Sequence, residues 1–447
     1  MTRRDFARGA TLATALSYSR VLGANDRVGI GYIGVGSRGD EVHTAFLEHG
    51  DCQTTAVCDL RDDYLDFAVA RSRGAPRKYR LYQKLLEDRD VDAVVIATPD
   101  HWHALMFVDA CRAGKDVYVE KPLSLTVVEG RKMVETAERA RRVVQVGTQR
   151  RSAQAMQEAA ELVRSGAIGR VTVAKFNDVV NEWPNGIGRP PSGPPPDAWE
   201  WDQWLGPAPE VPYNPNRTYY NFRWFHDYSA GQVANLGVHL IDMIRWCLNL
   251  QAPRMVTALG GRYAVQDNRE IPDTMEVIWE FDGPSGPVLV VFSQYNANAA
   301  PVNARRAELE LRGTKGTMYL DNYNSYEIVP ETTTEMVRLA RTPLDRVSER
   351  TWGASKKPAT EPQLRRDPRR DSVLAHARNF LDCVKSRAQC NADILNGHLS
   401  TTATLLASIA QRTHSLLEWD AQTERFTNHD SANRHLHYEY RKPYRLA

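Results

Sequence analysis

The chain has 447 residues, 42% hydrophobic and 25% charged. That is too long for one compact core at roughly 100 to 200 residues per domain and too apolar for disorder. With 57 basic against 55 acidic residues the formal charge is only +2, which excludes a bulk field for recruiting nucleic acid or an anionic membrane. No run of about 18 apolar residues is present to span a bilayer. The six cysteines (Cys52, Cys58, Cys111, Cys247, Cys383 and Cys390) form neither a CxxC pair nor a cluster with His, so neither a metal site nor a disulfide scaffold is expected. Cys383 and Cys390 could be bridged in an oxidising compartment, but not if both sit seven residues apart on one helix.

Thr2-Arg3-Arg4-Asp5-Phe6, a mildly apolar stretch over 9–19 and the small residues Gly23 and Ala24 resemble a twin-arginine export signal cut near Ala24. The bland alternative is a basic N-terminal helix. Residues 1–24 hold four arginines and one acid, leaving 53 basic against 54 acidic residues beyond them. The slight basicity belongs to this address, and the expectation is a near-neutral periplasmic protein.

From residue 27 on, apolar runs at 28–34, 53–58, 93–97, 116–119 and 143–146 read as strands. They alternate with helical periodicity at 39–49, 62–73, 104–113 and 127–140. That alternation predicts an α/β Rossmann domain over 27–150, a doubly wound parallel sheet with helices on both faces. Beyond 150 the pattern changes to two-residue alternation at 171–177, 255–260, 275–281, 288–295, 307–312 and 316–320, with helices at 155–165, 231–248, 372–386 and 397–417. This predicts an α+β domain over 151–447: an open, mostly antiparallel sheet with flanking helices, those at 372–417 returning toward the Rossmann domain. Two stretches interrupt it. Ten of the 24 prolines lie in 184–215, with Trp183, Trp199, Trp201, Trp204 and Trp224 in or beside them, predicting an ordered loop clamped over another surface, either as a structural cover or as a sugar-stacking wall. Residues 338–370 carry ten basic against four acidic side chains without interleaved aromatics, which reads as a solvated loop rather than a nucleic-acid patch.

Gly34-Val35-Gly36-Ser37-Arg38-Gly39 is G-x-G-x-x-G, placed between a predicted strand and helix, with Asp59 twenty residues after Gly39 at the tip of the next strand. In that context it predicts a dinucleotide site. Gly34 permits the turn, Gly36 admits the pyrophosphate, Gly39 lets helix pack on strand, and the helix start at Ser37 faces the phosphates. Asp59 would accept the ribose hydroxyls, favouring NAD over NADP. Arg38 and Arg61 keep NADP open.

Thr98-Pro99-Asp100-His101-Trp102-His103 and Glu120-Lys121-Pro122 each end a predicted strand. With the glycine loop they resemble the Gfo/Idh/MocA (glucose-fructose oxidoreductase, inositol dehydrogenase, rhizopine catabolism) oxidoreductase family over nearly all of the chain beyond the signal. Glu-Lys-Pro is the most specific part. The resemblance implies that Lys121 lies beside the nicotinamide and the reacting carbinol, that Pro122 follows a cis peptide, and that Thr98, Pro99, His103, Glu120 and Gln149 flank the cofactor. Arg150 and Arg151 would lie at the interdomain cleft. The family's second element, an acid with His or Tyr four residues on, matches Asn235 and His239, so that His239 is the general base and the two share one helical face. Asn235 stands where the sugar and inositol dehydrogenases have Asp, and supplies no charge to raise the basicity of His239. Asp242, one turn on, either orients His239 or caps the polar face. Upstream, Arg223, Trp224, His226 and Asp227 read either as contacts to a polyhydroxylated ring or as structural packing.

The leading expectation is an NAD(P)-dependent oxidoreductase acting on a secondary hydroxyl of a sugar, glycoside or cyclitol, with tightly bound, internally recycled cofactor. One rival is an NAD-dependent glycosidase working through a transient ketone and elimination. A third is a non-catalytic NAD-containing sugar binder, against which Lys121 and His239 argue. Neither a nucleic-acid partner nor a membrane span of the mature chain is expected. A homodimer or homotetramer through the C-terminal sheet is.

Overall fold

The computed structural model describes residues 27–196, 199–321, 324–334, 356–367 and 372–446. The export address at 1–24 and most of the basic stretch 338–370 lie outside them. Among the described residues no helix is long and apolar enough to cross a membrane.

The first sheet comprises β1 (Val28–Ile33), β2 (Cys52–Cys58), β3 (Arg77–Tyr79), β4 (Ala93–Ile96), β5 (Asp116–Val119) and β6 (Val144–Val146). All are parallel, in the order β3-β2-β1-β4-β5-β6. β1, β4 and β5 are buried throughout, the continuous apolar signature of strands covered on both faces. The crossovers are α1 (Ser37–Leu47), α2 (Asp62–Arg71), α3 (Tyr82–Leu86), α4 (Asp100–Arg112) and α5 (Val127–Ala140). β3 and α3 escape the sequence reading because they are three and five residues long. α4 begins one turn before the expected 104, with Pro99 before its first residue and Asp100 in its first turn, as helix starts favour. Order reverses at β1 and β4, and there the carboxyl ends of parallel strands leave a crevice.

The second sheet has the order β16-β13-β12-β11-β7-β10-β9-β8-β17-β18. Its members are β7 (Val171–Val179), β8 (Pro253–Gly261), β9 (Thr274–Gly283), β10 (Gly286–Tyr295), β11 (Leu309–Gly313), β12 (Gly316–Asp321), β13 (Ser325–Pro330), β16 (Gln363–Arg366), β17 (Leu417–Asp420) and β18 (Arg425–Phe426), while β14 (Thr332–Thr334) and β15 (Lys356–Pro358) pair separately. β7 and β10 are parallel and the other pairs antiparallel. One face buries Phe176, Trp279 and Phe292 in a stack beneath α6 (Gln154–Arg164), and beyond the short α7 (Trp201–Leu205) and α8 (Gln232–Asn235) run α9 (Gly237–Leu248), α10 (Ser372–Ser386) and α11 (Ile394–Thr413). α11 stops at Thr413 rather than continuing to 417. His414 turns left-handed (φ 48) and the chain enters β17 beside β8.

α10 returns to the first sheet, where Phe380 meets Phe46 and Tyr118 with ring centroids 6.1 and 5.9 Å away. The C-terminal tail also reaches back: Tyr444 packs on Trp102 at 5.4 Å, and the Tyr440 hydroxyl donates to Glu129. Cys383 and Cys390 do not share a helix. α10 ends at Ser386, Arg387 turns at φ 61, and the two buried thiols become hydrogen-bonding neighbours, both free.

Candidate active site

Five chain segments leave the carboxyl ends of β1, β2, β4, β5 and β6, and they carry Gly34, Asp59, Thr98, Lys121 and Gln149 respectively. A cavity of about 580 Å³ opens there, lined among others by Gly34, Gly36, Ser37, Arg38, Asp59, Thr98, Pro99, Glu120, Lys121 and Asn235. Gly34 sits at φ +84, a left-handed position that favours glycine. A Cβ on Gly39 would lie 2.1 Å from the Gly34 carbonyl oxygen, whereas one on Gly36 meets nothing nearer than Tyr64 at 3.4 Å. Gly39 is a packing requirement and Gly36 an open approach. Gly36 caps α1 without a side-chain acceptor, so the first-turn amides stay available to an anion. Asp59 accepts from the Val35 amide at 2.9 Å and the Arg61 amide at 3.1 Å. Burial pushes its carboxyl up, and these amide bonds oppose that shift.

The two arginines that left NADP open are engaged with protein. Arg38 bonds Glu41 at 2.6 Å and pairs with Glu120 at 2.8 Å. Arg61 pairs with Asp63, lies 4.8 Å over the Tyr64 ring and donates to the Tyr219 hydroxyl at 2.6 Å. That last bond ties the Rossmann domain to a roof. The Pro/Trp-rich segment places Trp199, Trp204 and Tyr219 on the cavity wall, with Trp201 stacked on Trp204 at 5.0 Å. The Trp204 carbonyl is gripped by His101 at 3.1 Å and the Trp102 indole at 2.9 Å. The described residues of this loop pack over a surface through Trp199, Trp201 and Trp204, while Trp183 stays 59% exposed.

The reactive end is built around Lys121. The Lys121–Pro122 peptide is cis. Lys121 Nζ donates to Asn235 Oδ1 at 2.8 Å and to the Asn235 carbonyl oxygen at 3.2 Å. That carbonyl is free for a physical reason: the expected continuous helix at 231–248 breaks at Leu236 into α8 and α9. The His239 amide then bonds Leu236 O at 3.1 Å in place of the i−4 carbonyl of Asn235. Asn235 and His239 are therefore set by a helix break and not by one regular face. Burial, followed by Arg223 and Arg38 and opposed by Glu120, pushes the Lys121 ammonium down to about 8. His239 is buried, and burial, then Lys121 and Arg150, hold it well below the usual imidazole range. It is therefore a neutral imidazole, and it lies behind Asn235 rather than on the cavity wall.

Several residues fall elsewhere than expected. His103 does not line the cavity. Its Nδ1 and Nε2 bond the carbonyls of Pro122 at 2.8 Å and Thr98 at 2.9 Å, joining the two motif loops. Gln149 is buried away from the cavity wall. Asp242 does not orient His239; it pairs with Arg151 at 2.7 and 2.9 Å and accepts from Ser400 at 2.8 Å. Both members of that pair are buried, so Asp242→Ala should cost about 3–5 kcal/mol, read as a lowered urea midpoint with unchanged slope. Arg150 pairs with Glu308 at 2.6 Å. Of the upstream run, Arg223 reaches the cavity, its guanidinium 3.5 Å from the Tyr220 ring centroid. Trp224 is 1% exposed beneath Arg269, and His226 and Asp227 line a second cavity. Among the cavity residues that escaped the sequence reading is Asp100, buried, on the cavity wall and bonded to Ser229 Oγ at 2.6 Å. Its place directly after Thr98-Pro99 was the available signal.

The donor set fits a dinucleotide: open amides at a helix start, a close-approach glycine, a carboxylate at the second strand tip, and an ammonium at the far end. A chain so built is a two-domain, nucleotide-dependent oxidoreductase. Comparison makes this specific. The NAD-binding Rossmann fold of the Gfo/Idh/MocA oxidoreductase family matches residues 28–148, and two forms of that family's C-terminal alpha/beta domain match 152–262 with 354–446, and 210–395. The chain belongs to the Gfo/Idh/MocA family, and NAD is its cofactor.

A glycosyl hydrolase family 109 protein of Shewanella putrefaciens is 39% identical over 122 residues, 26% of this chain and 27% of that protein. The match thus spans about a quarter of the relative's length. Among solved structures, aldose-aldose oxidoreductase from Caulobacter crescentus, complexed with glycerol, aligns with TM-score 0.63 and 17% identity over 88% of this chain and 99% of that one. An oxidoreductase domain protein from Kribbella flavida aligns with TM-score 0.64, 18% identity and the same coverages. The WlbA dehydrogenase from Bordetella pertussis, in complex with NADH and UDP-GlcNAcA, aligns with TM-score 0.61 and 17% identity over 88% and 99%. At such identities these likenesses are of fold.

Proposed function

We propose that the protein oxidises a secondary hydroxyl of a sugar, glycoside or cyclitol with a cofactor that stays bound and is recycled in place. The observation that carries this reading is Lys121 Nζ, held by both acceptors of Asn235 on the wall shared with the glycine loop and Asp59. NAD, held by Gly34, Gly36, Ser37 and Asp59, would supply the hydride acceptor. The chain supplies the rest: neutral His239 takes the hydroxyl proton, and the Lys121 ammonium donates to the developing alkoxide. The roof of Trp199, Trp204 and Tyr219 favours retention of the cofactor. The carbohydrate assignment draws on the aldose and UDP-sugar acid named for the structural neighbours.

A second reading, redox glycoside cleavage by elimination, is favoured by the likeness to glycosyl hydrolase family 109 proteins and by uncharged Asn235 in the acid's place. One experiment separates them. The purified protein is scanned for bound nicotinamide absorbance, then incubated with sugars and aryl glycosides. Reduced cofactor accumulating with a ketosugar supports the first reading, aglycone release without net reduction the second, and neither would overturn both.

The arginine pair at Arg3-Arg4 supports export of the folded, cofactor-loaded protein to the periplasm, and Arg3→Lys with Arg4→Lys should leave it in the cytoplasmic fraction. The outer face of the second sheet supports pairing of subunits, since Leu259, Ile278 and Leu289 stand 71, 43 and 42% exposed on adjacent strands β8, β9 and β10, with Glu276 opposite Leu259 and Glu280 opposite Leu289, a mixed apolar and acidic face. Leu259→Glu with Ile278→Glu should reduce the mass measured by light scattering to that of a single chain.

A further inference from the structure

The second cavity, of about 400 Å³, is walled by five segments distant in sequence: 125–127 just after the Glu-Lys-Pro turn, Pro209, 226–230, α11, and the C-terminal tail at 434–438. Two guanidiniums, Arg412 and Arg434, line it together with His226 and His435. Its lining carboxylate, Asp227, is already committed to Arg217 at 2.9 Å.

Several surface arginines of this chain find acids: Arg71 pairs with Asp40, Arg77 with Asp88, Arg80 with Asp62 and Arg378 with Asp51. Arg412 makes no hydrogen bond or ion pair among the described residues, and Arg434 has only the imidazole of His435, at 3.4 Å. Both side chains keep contact with solvent; partial desolvation and the facing Arg434 push Arg412 down, with Asp227 and Glu270 opposing. A second observation points the same way. The Tyr438 hydroxyl, on the same wall, is buried with no hydrogen-bond partner among the described residues, an unfavourable state for a polar group. Two guanidiniums without a carboxylate of their own and an orphaned donor on one cavity wall suit an anionic acceptor that the protein itself does not supply.

We propose that this cavity is an anion site, taking the carboxylate or phosphate group of a small molecule between Arg412 and Arg434, with the Tyr438 hydroxyl as a further donor. It is separate from the nucleotide cavity but adjoins it: Ser229, on its wall, donates to Asp100, which lines the nucleotide cavity.

Full-length protein carrying its cofactor is titrated by calorimetry with inorganic phosphate and, in parallel, with glucuronate, at constant ionic strength. The expected result is saturable binding of at least one probe, one per chain, below about 10 mM. Arg412→Gln and Arg434→Gln should each weaken it about tenfold or more, with cofactor content unchanged, and Tyr438→Phe should weaken it less. Lys121→Ala should leave it intact. Phosphate alone binding identifies the group as phosphate, and glucuronate alone as carboxylate. No saturable binding of either probe, binding indifferent to both arginine variants, or binding abolished by Lys121→Ala would each overturn the proposal.

Discussion

Lys121→Ala is expected to lower kcat by about 10²- to 10⁴-fold while the protein still retains nicotinamide. The lysine touches the reacting end of the site and not the pyrophosphate loop, and loss of one positioned charge or proton-transfer group has effects of that size. The pH profile supplies a sharper reading. Lys121 is held down to about 8, so its ammonium predominates below that pH and is lost as pH rises through it. If the ammonium steadies the alkoxide, kcat/KM in the oxidation direction falls above about pH 8. Asn235→Asp places a carboxylate where Oδ1 now lies 2.8 Å from Nζ, and an opposite charge at that range favours the charged form by about 1–3 pH units. The falling limb should therefore move alkaline in Asn235→Asp and in Lys121→Arg. A limb that stays fixed in both variants would remove Lys121 from the proton chemistry even if Lys121→Ala were inactive.

What could be read without coordinates followed the range of the interactions involved. Gly34, Gly36, Gly39 and Asp59 act through a turn, a helix start and the adjacent strand, all within one βαβ unit, so their spacing carried the information. The Asn235 constellation was half legible. The family resemblance singled out Asn235 and His239, but the break at Leu236 is stabilised by Lys121, 114 positions away, and helical periodicity has no access to such a partner. The same holds for the roof. Tryptophan density predicted order, yet its seat is fixed by His101 and Trp102 holding the Trp204 carbonyl across about a hundred residues. His226 and Asp227 follow Arg223 closely in sequence and still face another cavity, because the chain turns through Trp224 and Phe225, both buried. Residue types suited to a sugar ring were equally suited to an anion pocket, and composition alone does not choose between two walls.

Alanine at two positions of the glycine loop should separate what that loop does for the fold from what it does for the cofactor. Gly39→Ala places a Cβ 2.1 Å from the Gly34 carbonyl oxygen, a backbone atom that cannot rotate away, so α1 must shift from the end of β1. Overpacking of this kind costs about 1–3 kcal/mol, and the displaced helix start no longer aims its amides at the phosphates. Gly39→Ala should therefore show both a lowered thermal midpoint and loss of bound nicotinamide. Gly36 has φ −70, open to any residue, and its added Cβ meets Tyr64 at an ordinary 3.4 Å. Gly36→Ala should melt within about 1 °C of the parent, since nothing in the fold is strained. The methyl, however, occupies the space through which the pyrophosphate approaches the backbone, and bound nicotinamide should fall at least as far as in Gly39→Ala. Dissociation constants for NAD measured on the stripped proteins would show the contrast directly. Equal destabilisation of the two variants, or full cofactor content in Gly36→Ala, would mean that the loop turns as described but does not cradle the phosphates.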